Sequence, residues 1–243
     1  MGIQVYPTTE GMIKAGAKLF MELASTAISD RGTFSVVLSG GSTPQPLFEF
    51  LAADKSADLL DWSRIHFFWG DERNVPPDSS ESNYRQAYQT LLDPRMIPPS
   101  NIHRIKGELD PVKAASLYQK EISDLLLESP PSFDMIFLGM GGDGHTASLF
   151  PGTKVVSNPG EYQWVAANQV PQQDTWRITF TPQLINAART IIFLVSGQTK
   201  AETLKRVLEG PFLPEIYPSQ LIKPDHGNLI WLVDQAAASN LET

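Results

Sequence analysis

The sequence predicts an α/β fold of Rossmann-like type, in which helices cover both faces of a mainly parallel sheet. The first observation is a series of short, continuously apolar runs, such as Phe34–Leu38, residues 135–138 and Thr190–Val195, which are typical of buried strands. The second is the regular alternation of these runs with segments of helical spacing. The third is that 243 residues show no internal repeat or composition break, which favours one domain over residues 1–243.

Nine segments are predicted as strands. The first is a short edge strand that Pro7 ends, and most of the later apolar runs are closed by glycine or by a polar residue. The predicted strands are residues 3–6, 34–38, 65–69, 101–105, 135–138, 163–167, 176–180, 190–195 and 228–233.

Helical patterns fill the intervals between these strands. Apolar residues recur at helical spacing after Thr9 until Gly32, and Pro44 and Pro111 suit the first turns of two further helices. The predicted helices cover approximately residues 9–31, 44–51, 84–92, 110–129, 143–150, 181–188 and 200–208, with an alanine-rich helix from residue 234.

The composition restricts the ligands and the environment. The 19 Lys and Arg residues against 27 Asp and Glu residues give a net charge of −8, which argues against general nucleic-acid binding. No apolar run approaches the ~20 residues that span a membrane, and no signal-peptide pattern begins the sequence. The absence of cysteine excludes disulfides and thiolate chemistry and fits a cytoplasmic protein. An anionic ligand must therefore be held by a local group of cations and N–H donors.

Polar residues follow several predicted strands at their carboxyl ends, the edge at which open α/β sheets bind ligands. Gly40, Gly41, Ser42 and Thr43 come after one such strand and directly before a helix. Their N–H groups and hydroxyls, together with the helix N-terminus, are suited to an anion such as phosphate. An ordinary turn capped by serine is the alternative interpretation.

Charged residues are candidates for the same edge. Asp71, Glu72 and Arg73 follow the next strand, although they could also belong to a solvated turn. Arg177 lies on a predicted strand. Lys200 lies in the first turn of a helix, where the dipole disfavours a cation unless the cation serves a bound anion.

A glycine-rich loop follows the strand at 135–138 and leads to Asp143 and His145. A carboxylate and an imidazole at this position are typical of a catalytic site. The glycines also match the dinucleotide fingerprint G-x-G-x-x-G, with Glu161 downstream. That fingerprint requires a long crossover helix, whereas Pro151 ends this one early, so NAD binding is disfavoured.

The other three histidines are weaker candidates for a catalytic role. His66 is interpreted as a packed or edge residue of its strand, His103 has no evident partner, and His226 belongs to a solvated turn. No metal-ligand spacing such as His-x-x-x-His occurs, so no metal site is expected.

The chain carries five motifs in order: SGGSTP at 39–44, GDER at 70–73, LGMGGDGHTASLFPG at 138–152, SGQTK at 196–200 and YPSQ at 217–220. Together they resemble the glucosamine-6-phosphate isomerase/6-phosphogluconolactonase family, and its lactonase members in particular, over nearly the whole chain. The resemblance implies a fold shared with ribose-5-phosphate isomerase and no cofactor. It also implies hydrolysis of 6-phospho-D-glucono-1,5-lactone in the oxidative pentose phosphate pathway.

The resemblance also suggests a role for each candidate residue. His145 is expected to act as general base, with Asp143 orienting the imidazole or the water. N–H groups of the glycine-rich loop are expected to stabilise an oxyanion. The residues expected to bind substrate or phosphate are Gly40, Gly41, Ser42, Thr43, Asp71, Arg73, Gly141, Gly142, Arg177 and Lys200.

Two other classes stay open. Glucosamine-6-phosphate deaminases share the fold but carry a catalytic glutamate before a proline, where this chain has Phe150 before Pro151. They also have tyrosine in place of Arg73, so both departures favour the lactonase. A non-catalytic phosphosugar-binding regulator of the same fold is the other class. The expected state is a monomer or a small homo-oligomer.

Overall fold

The computed structural model describes residues 2–224 and 226–242, so Met1, Asp225 and Thr243 of the predicted domain lie outside the described residues. The strands are β1 (Gly2–Tyr6), β2 (Phe34–Leu38), β3 (Ile65–Trp69), β4 (Asp71–Arg73), β5 (Ile102–His103), β6 (Met135–Gly139), β7 (Val165–Val170), β8 (Thr175–Phe180), β9 (Thr190–Val195) and β10 (Asn228–Asp234). The helices are α1 (Thr9–Arg31), α2 (Gln45–Ala53), α3 (Asn83–Ala87), α4 (Pro111–Leu125), α5 (Lys154–Ser157), α6 (Pro182–Asn186) and α7 (Ala201–Glu209).

Seven strands form one parallel sheet in the order β1-β10-β9-β6-β2-β3-β5, so the prediction of a mainly parallel sheet is confirmed. Every residue of β2 and β9 is buried. The edge strand β5 covers only two of the five residues predicted for it. Because all seven strands run in one direction, their carboxyl ends reach the same edge of the sheet. Ser39, Gly70, Met140 and Ser196 lie directly beyond four of those ends.

A second sheet of three antiparallel strands, β4-β8-β7, stands apart from the parallel one, which the sequence did not predict. Only residues 171–174 separate β7 from β8, with Asp174 in the left-handed region at φ 46°. A connection this short closes a hairpin, because a parallel crossover needs about a dozen residues. In the resulting register Asp71 faces Thr179, and Arg73 faces Arg177.

α1 shows how the sequence sets the ends of a helix. Thr8 Oγ1 accepts a hydrogen bond from the N–H of Gly11, and Gly32 ends the helix in the left-handed conformation at φ 84°. The helix buries Met12 and Phe20 and packs against β10 and α2. α4 packs against β7 and β8 instead. Among the described residues, no helix combines the length and the apolarity that crossing a membrane requires.

The predicted short helix after the glycine-rich loop is wrong. Residues 143–150 form turns, with one isolated bridge between Thr146 and Leu149. Two features oppose a right-handed helix here. Asp143 Oδ1 accepts a hydrogen bond from the N–H of His145, a local bond that competes with helical pairing. Gly144 and Ala147 then adopt φ values of 81° and 47°, which no right-handed helix contains.

The predicted alanine-rich helix at the end of the chain is also wrong, since residues 235–240 form turns. β10 instead extends to Asp234, whose carboxylate accepts hydrogen bonds from three other segments. It accepts hydrogen bonds from the hydroxyl of Thr9 at 2.7 Å and from the N–H groups of Gly197 and Ala237 at 3.0 and 2.8 Å. These contacts fix the strand end against α1 and the turn before α7.

Candidate active site

A cavity of about 240 Å³ opens at the carboxyl edge of the parallel sheet. Nine residues that the sequence singled out line it: Gly40, Gly41, Ser42, Thr43, Asp71, Arg73, Gly141, His145 and Lys200. Three others, Gly142, Asp143 and Arg177, lie outside the lining. A larger cavity of about 660 Å³ between α4 and the small sheet contains none of the predicted site residues. The chemistry therefore concentrates in the smaller cavity.

His145 and Asp143 form a hydrogen-bonded pair at the cavity. Nδ1 of His145 lies 2.5 Å from Oδ1 of Asp143, and the ring packs on Phe150 with centroids 4.2 Å apart. Partial burial tends to raise the pKa of Asp143, but the hydrogen bond and charge of His145 outweigh it and hold that pKa below its ordinary value. Since the carboxylate engages Nδ1, Nε2 is the nitrogen left free for proton transfer.

The backbone of Gly141 passes directly beneath this pair. A methyl group on its Cα would lie 2.1 Å from Nδ1 of His145 and 2.5 Å from Oδ1 of Asp143. The N–H of Gly141 donates to the carbonyl of His145 at 2.8 Å, and the hydroxyl of Thr203 donates to the carbonyl of Gly142 at 2.6 Å. The pair can therefore keep this position only over a glycine.

The loop before α2 brings polar groups to the same cavity. The hydroxyl of Ser39 donates to the carbonyl of Phe137, which ties the loop to β6. Gly41 adopts φ 108°, and its N–H is already engaged by Oε1 of Gln86 at 3.0 Å. Thr43 Oγ1 lies 3.5 Å from the hydroxyl of Ser196. The N-terminus of α2 follows immediately, so the loop combines hydroxyls with a helix end that favours an anion.

Three cations surround this loop in different ways. Arg73 lines the cavity and donates to the carbonyl of Glu81. Lys200 also lines the cavity, and it makes no ion pair within the described residues. Arg177 faces Arg73 across the small sheet, and burial followed by the charge of Arg73 lowers the pKa of Arg177. Two guanidinium groups held side by side are stabilised by a bound anion.

Glu72, the third of the charged residues expected at this edge, does not line the cavity and serves a different purpose. Only 2% of the residue is exposed, and its carboxylate accepts hydrogen bonds from the hydroxyl of Ser82 and from the N–H groups of Arg73, Asn83 and Tyr84. Burial raises its pKa against the opposing effect of these four donors. Glu72 therefore fixes the start of α3 to β4.

A second network of hydrogen bonds holds the side chain of Asp71. Its Oδ2 accepts a hydrogen bond from the hydroxyl of Ser148 at 2.6 Å, and the N–H of Ser148 donates to Oγ1 of Thr179. Asn168 donates to the carbonyl of Ser148 at 2.8 Å. These buried groups set the orientation of Asp71 at the cavity. No local sequence signal could have predicted them, because the partners come from separate strands and loops.

The structure corrects the interpretation of His103, and His66 is a packed residue of its strand, as expected. His103 has a partner on each side: its Nε2 lies 3.0 Å from Nδ1 of His66, and its Nδ1 lies 2.9 Å from Oε1 of Glu121. Burial, followed by the charge of His103, lowers the pKa of His66. Within the described residues, no three His, Cys, Asp or Glu side chains are grouped so that they could hold a metal ion.

Comparison with known proteins identifies the family. The family model described as glucosamine-6-phosphate isomerases/6-phosphogluconolactonase matches residues 7–231. The protein named 6-phosphogluconolactonase from Nostoc sp. is 39% identical over 243 residues, covering 98% of each chain. The protein of that name from Synechocystis sp. is 42% identical over 219 residues, covering 88% of each.

A solved structure gives the same result for the fold. The 6-phosphogluconolactonase of Trypanosoma brucei superposes with a TM-score of 0.87 at 29% identity, covering 99% of this chain and 98% of that one. The chain belongs to the glucosamine-6-phosphate isomerase/6-phosphogluconolactonase family.

Proposed function

We propose that this chain hydrolyses 6-phospho-D-glucono-1,5-lactone to 6-phospho-D-gluconate, a reaction of the oxidative pentose phosphate pathway. The observation that carries the proposal is a single cavity that contains His145, supported by Asp143, together with the loop before α2 and the cations Arg73 and Lys200. Relatives whose names state this activity cover nearly the whole chain and support it.

The reaction needs one base, and His145 supplies it in our proposal. Its Nε2 removes a proton from a water molecule whose oxygen attacks C1 of the lactone, which gives a tetrahedral oxyanion. When the bond between C1 and the ring oxygen breaks, the imidazolium returns the proton to that oxygen, which becomes a hydroxyl group. The new carboxylic acid then releases its own proton to solvent. Asp143 holds the imidazole through Nδ1 throughout.

The oxyanion is stabilised by N–H groups of the glycine-rich loop, each typically worth ~3 kcal/mol in a transition state. Because the N–H of Gly141 already donates to the carbonyl of His145, the proposal assigns this role to the N–H of the next residue, Gly142, which follows the cavity lining directly. A δ-lactone is an activated ester, so the proposal includes no covalent nucleophile and no cofactor.

The phosphate group binds at the loop before α2 in this proposal. Ser42, Thr43 and the helix N-terminus contact its oxygens, together with the backbone of Gly40. Gly41 provides the turn of this loop, because its N–H already donates to Gln86. The counter-charges come from Arg73, Lys200 and the neighbouring Arg177, and Asp71 contributes a carboxylate to the sugar end. The contacts that bring these residues to one edge of the molecule support the assignment.

The test is lactone hydrolysis with freshly generated substrate, followed as acid release and corrected for the spontaneous rate. We expect saturable acceleration over buffer and no ammonia release from glucosamine 6-phosphate. Ammonia release would instead establish a deaminase, for which Phe150 offers no proton-transferring group. Binding of 6-phosphogluconate without turnover would establish a regulator.

Replacing Lys200 by alanine is expected to raise KM by ~10- to 100-fold and to leave kcat within about threefold, because a charge-assisted contact with phosphate is the same in ground and transition states. Steady-state kinetics measures both constants. The matched control is Lys205→Ala on α7, whose ammonium is paired with Glu242 and Glu209 and which should behave as wild type. An unchanged KM in the Lys200 variant would remove this residue from the site.

Three expectations from the sequence stay predictions: one domain over residues 1–243, a cytoplasmic location, and a monomer or small homo-oligomer without nucleic acid. Size-exclusion chromatography with light scattering measures the oligomeric state.

A further inference from the structure

Asn83 lies at the cavity and has no place in the mechanism above. It is the first residue of α3, its side chain lines the cavity, and only 3% of the residue is exposed. Its backbone N–H donates to Glu72 Oε1 at 2.8 Å, and its Nδ2 donates to the carbonyl of Asp71 at 3.0 Å. Asn83 is therefore held through both its backbone and its side chain, by the two residues that begin β4.

The anchoring fixes which way the amide group points. A backbone carbonyl can only accept a hydrogen bond, so the atom that faces Asp71 must be Nδ2. Oδ1 consequently lies over Gly40, where a methyl group would come within 1.8 Å of it. The orientation of this amide follows from its surroundings and does not depend on distinguishing oxygen from nitrogen.

Oδ1 of Asn83 is an acceptor without a donor. No side chain or N–H group within residues 2–224 and 226–242 donates to it. Among the described residues, the fully buried side-chain polar atoms that lack a hydrogen-bond partner are Nε1 of Trp69 and Nε1 of Trp231. Oδ1 of Asn83 is not one of them, so solvent can reach it. A bound ligand that covers this acceptor must donate a hydrogen bond to it, since a buried group that is left unsatisfied costs about 1–3 kcal/mol.

We infer that Asn83 is a specificity-determining residue whose Oδ1 accepts a hydrogen bond from one ring hydroxyl of the sugar lactone. The inference rests on the proposed function, since the ligand is the phosphosugar bound in the same cavity. The lactone carries ring hydroxyls at C2, C3 and C4, each of which can donate a hydrogen bond. The phosphate cannot fill this role, because its oxygens are acceptors at neutral pH and would be repelled by Oδ1.

The position of Gly40 and the side chain of Asn83 depend on each other in this arrangement. Any side chain at position 40 would displace the amide group, because its Cβ would lie 1.8 Å from Oδ1. Gly40 and Asn83 both line the cavity, and Oδ1 is accessible to solvent, which places the acceptor at the cavity wall. A residue built to pair with a hydroxyl discriminates strongly against a ligand that lacks it, since the acceptor is then left unpaired.

The test compares two proteins on four substrates, in the manner of a double-mutant cycle. The wild type and Asn83→Ala are assayed with the lactone and with its 2-deoxy, 3-deoxy and 4-deoxy forms, and kcat/KM is determined for each pair. We expect the wild type to lose ~10- to 100-fold with one deoxy form, in line with an unpaired buried acceptor. Asn83→Ala should lose a similar factor on the complete lactone and nothing further on that deoxy form.

A purely structural role predicts a different pattern. If Asn83 only supports the loop, or contacts the phosphate through Nδ2, the variant lowers kcat/KM for all four substrates by one factor and keeps the discrimination of the wild type. That result would overturn the inference, as would a wild type that distinguishes none of the deoxy forms. Asn83→Ser also removes Oδ1 but keeps a polar side chain at this position, and it should lose the discrimination as Asn83→Ala does, which covers the case of an alanine variant that does not fold.

The matched control is Asn101→Ala. Asn101 is also a buried asparagine, but its Nδ2 donates to the carbonyls of Ser63 and Ile65 at the amino end of β3. Its loss should change stability and leave the discrimination among substrates at the wild-type level. The same discrimination in Asn101→Ala as in Asn83→Ala would assign the effect to a general loss of packing and refute the inference.

A parallel binding measurement distinguishes a failure of the proposed function from a failure of the role assigned to Asn83. Calorimetry with 6-phosphogluconate and its 2-, 3- and 4-deoxy acids gives the same cycle without turnover. If the wild type does not accelerate lactone hydrolysis, the proposed function fails and the binding cycle decides the role of Asn83. If the wild type hydrolyses the lactone but the cycle shows no coupling between Asn83 and any hydroxyl, the proposed function stands and the inference fails.

Discussion

His145→Ala is expected to lower kcat by ~10²- to 10⁴-fold, the range typical of a lost general base, with KM within about threefold of wild type. The variant removes the nitrogen that accepts a proton from water and leaves the loop before α2 and its cations in place. Folding should be unaffected, because the imidazole is partly exposed and, among the described residues, its only side-chain hydrogen bond is to Asp143. Acid release at saturating lactone, corrected for spontaneous hydrolysis, measures the loss.

The control for this variant is His226→Ala, an exposed histidine outside the cavity, which should retain full turnover. The pH profile adds a second readout. Because the pKa of Asp143 is held below its ordinary value, Asp143 is ionised throughout the range in which an imidazole titrates. The acid limb of kcat in the wild type should therefore reflect one group and should be absent from the residual activity of His145→Ala. Near-normal turnover in this variant would exclude His145 as the base.

The location of the site could be predicted from the sequence because it depends on local patterns. Apolar runs that end in glycine identify buried strands, and a parallel sheet brings the residues that follow them to one edge. Ser42, Asp71, His145 and Lys200 come from four separate segments and line one cavity as a result. The prediction needed only the direction of the strands, not their order in the sheet.

The supporting residues could not be predicted in the same way. Glu72 resembles any charged residue after a strand, and its role depends on donors more than nine residues further along the chain. Asn83 carries no signal in its neighbours, because its significance depends on Gly40 lying beneath it. The separate antiparallel sheet was missed because pairing between distant strands is a property of register and connection length, which the apolar pattern of each strand does not contain.

Gly141→Ala is expected to lower kcat by ~10- to 100-fold while leaving the free energy of unfolding within about 1 kcal/mol of wild type, because a shift of the base by about 1 Å is enough to cost this much. A methyl group at this position would overlap Nδ1 of His145 and Oδ1 of Asp143. Both atoms belong to the ends of partly exposed side chains, so they can move aside and relieve the overlap without disturbing the core. The movement breaks the contact that orients the imidazole.

Kinetics and thermal unfolding on the same preparation test this separation of activity from stability. Gly160→Ala is the matched control, since a methyl group there meets no atom within 4 Å and the residue is exposed, so both measurements should agree with wild type. A Gly141 variant that unfolds in parallel with its loss of activity would show that the loop is a structural element of the fold. A variant with normal kcat would show that His145 works without its hydrogen bond to Asp143, and orientation by the carboxylate would have no part in the mechanism.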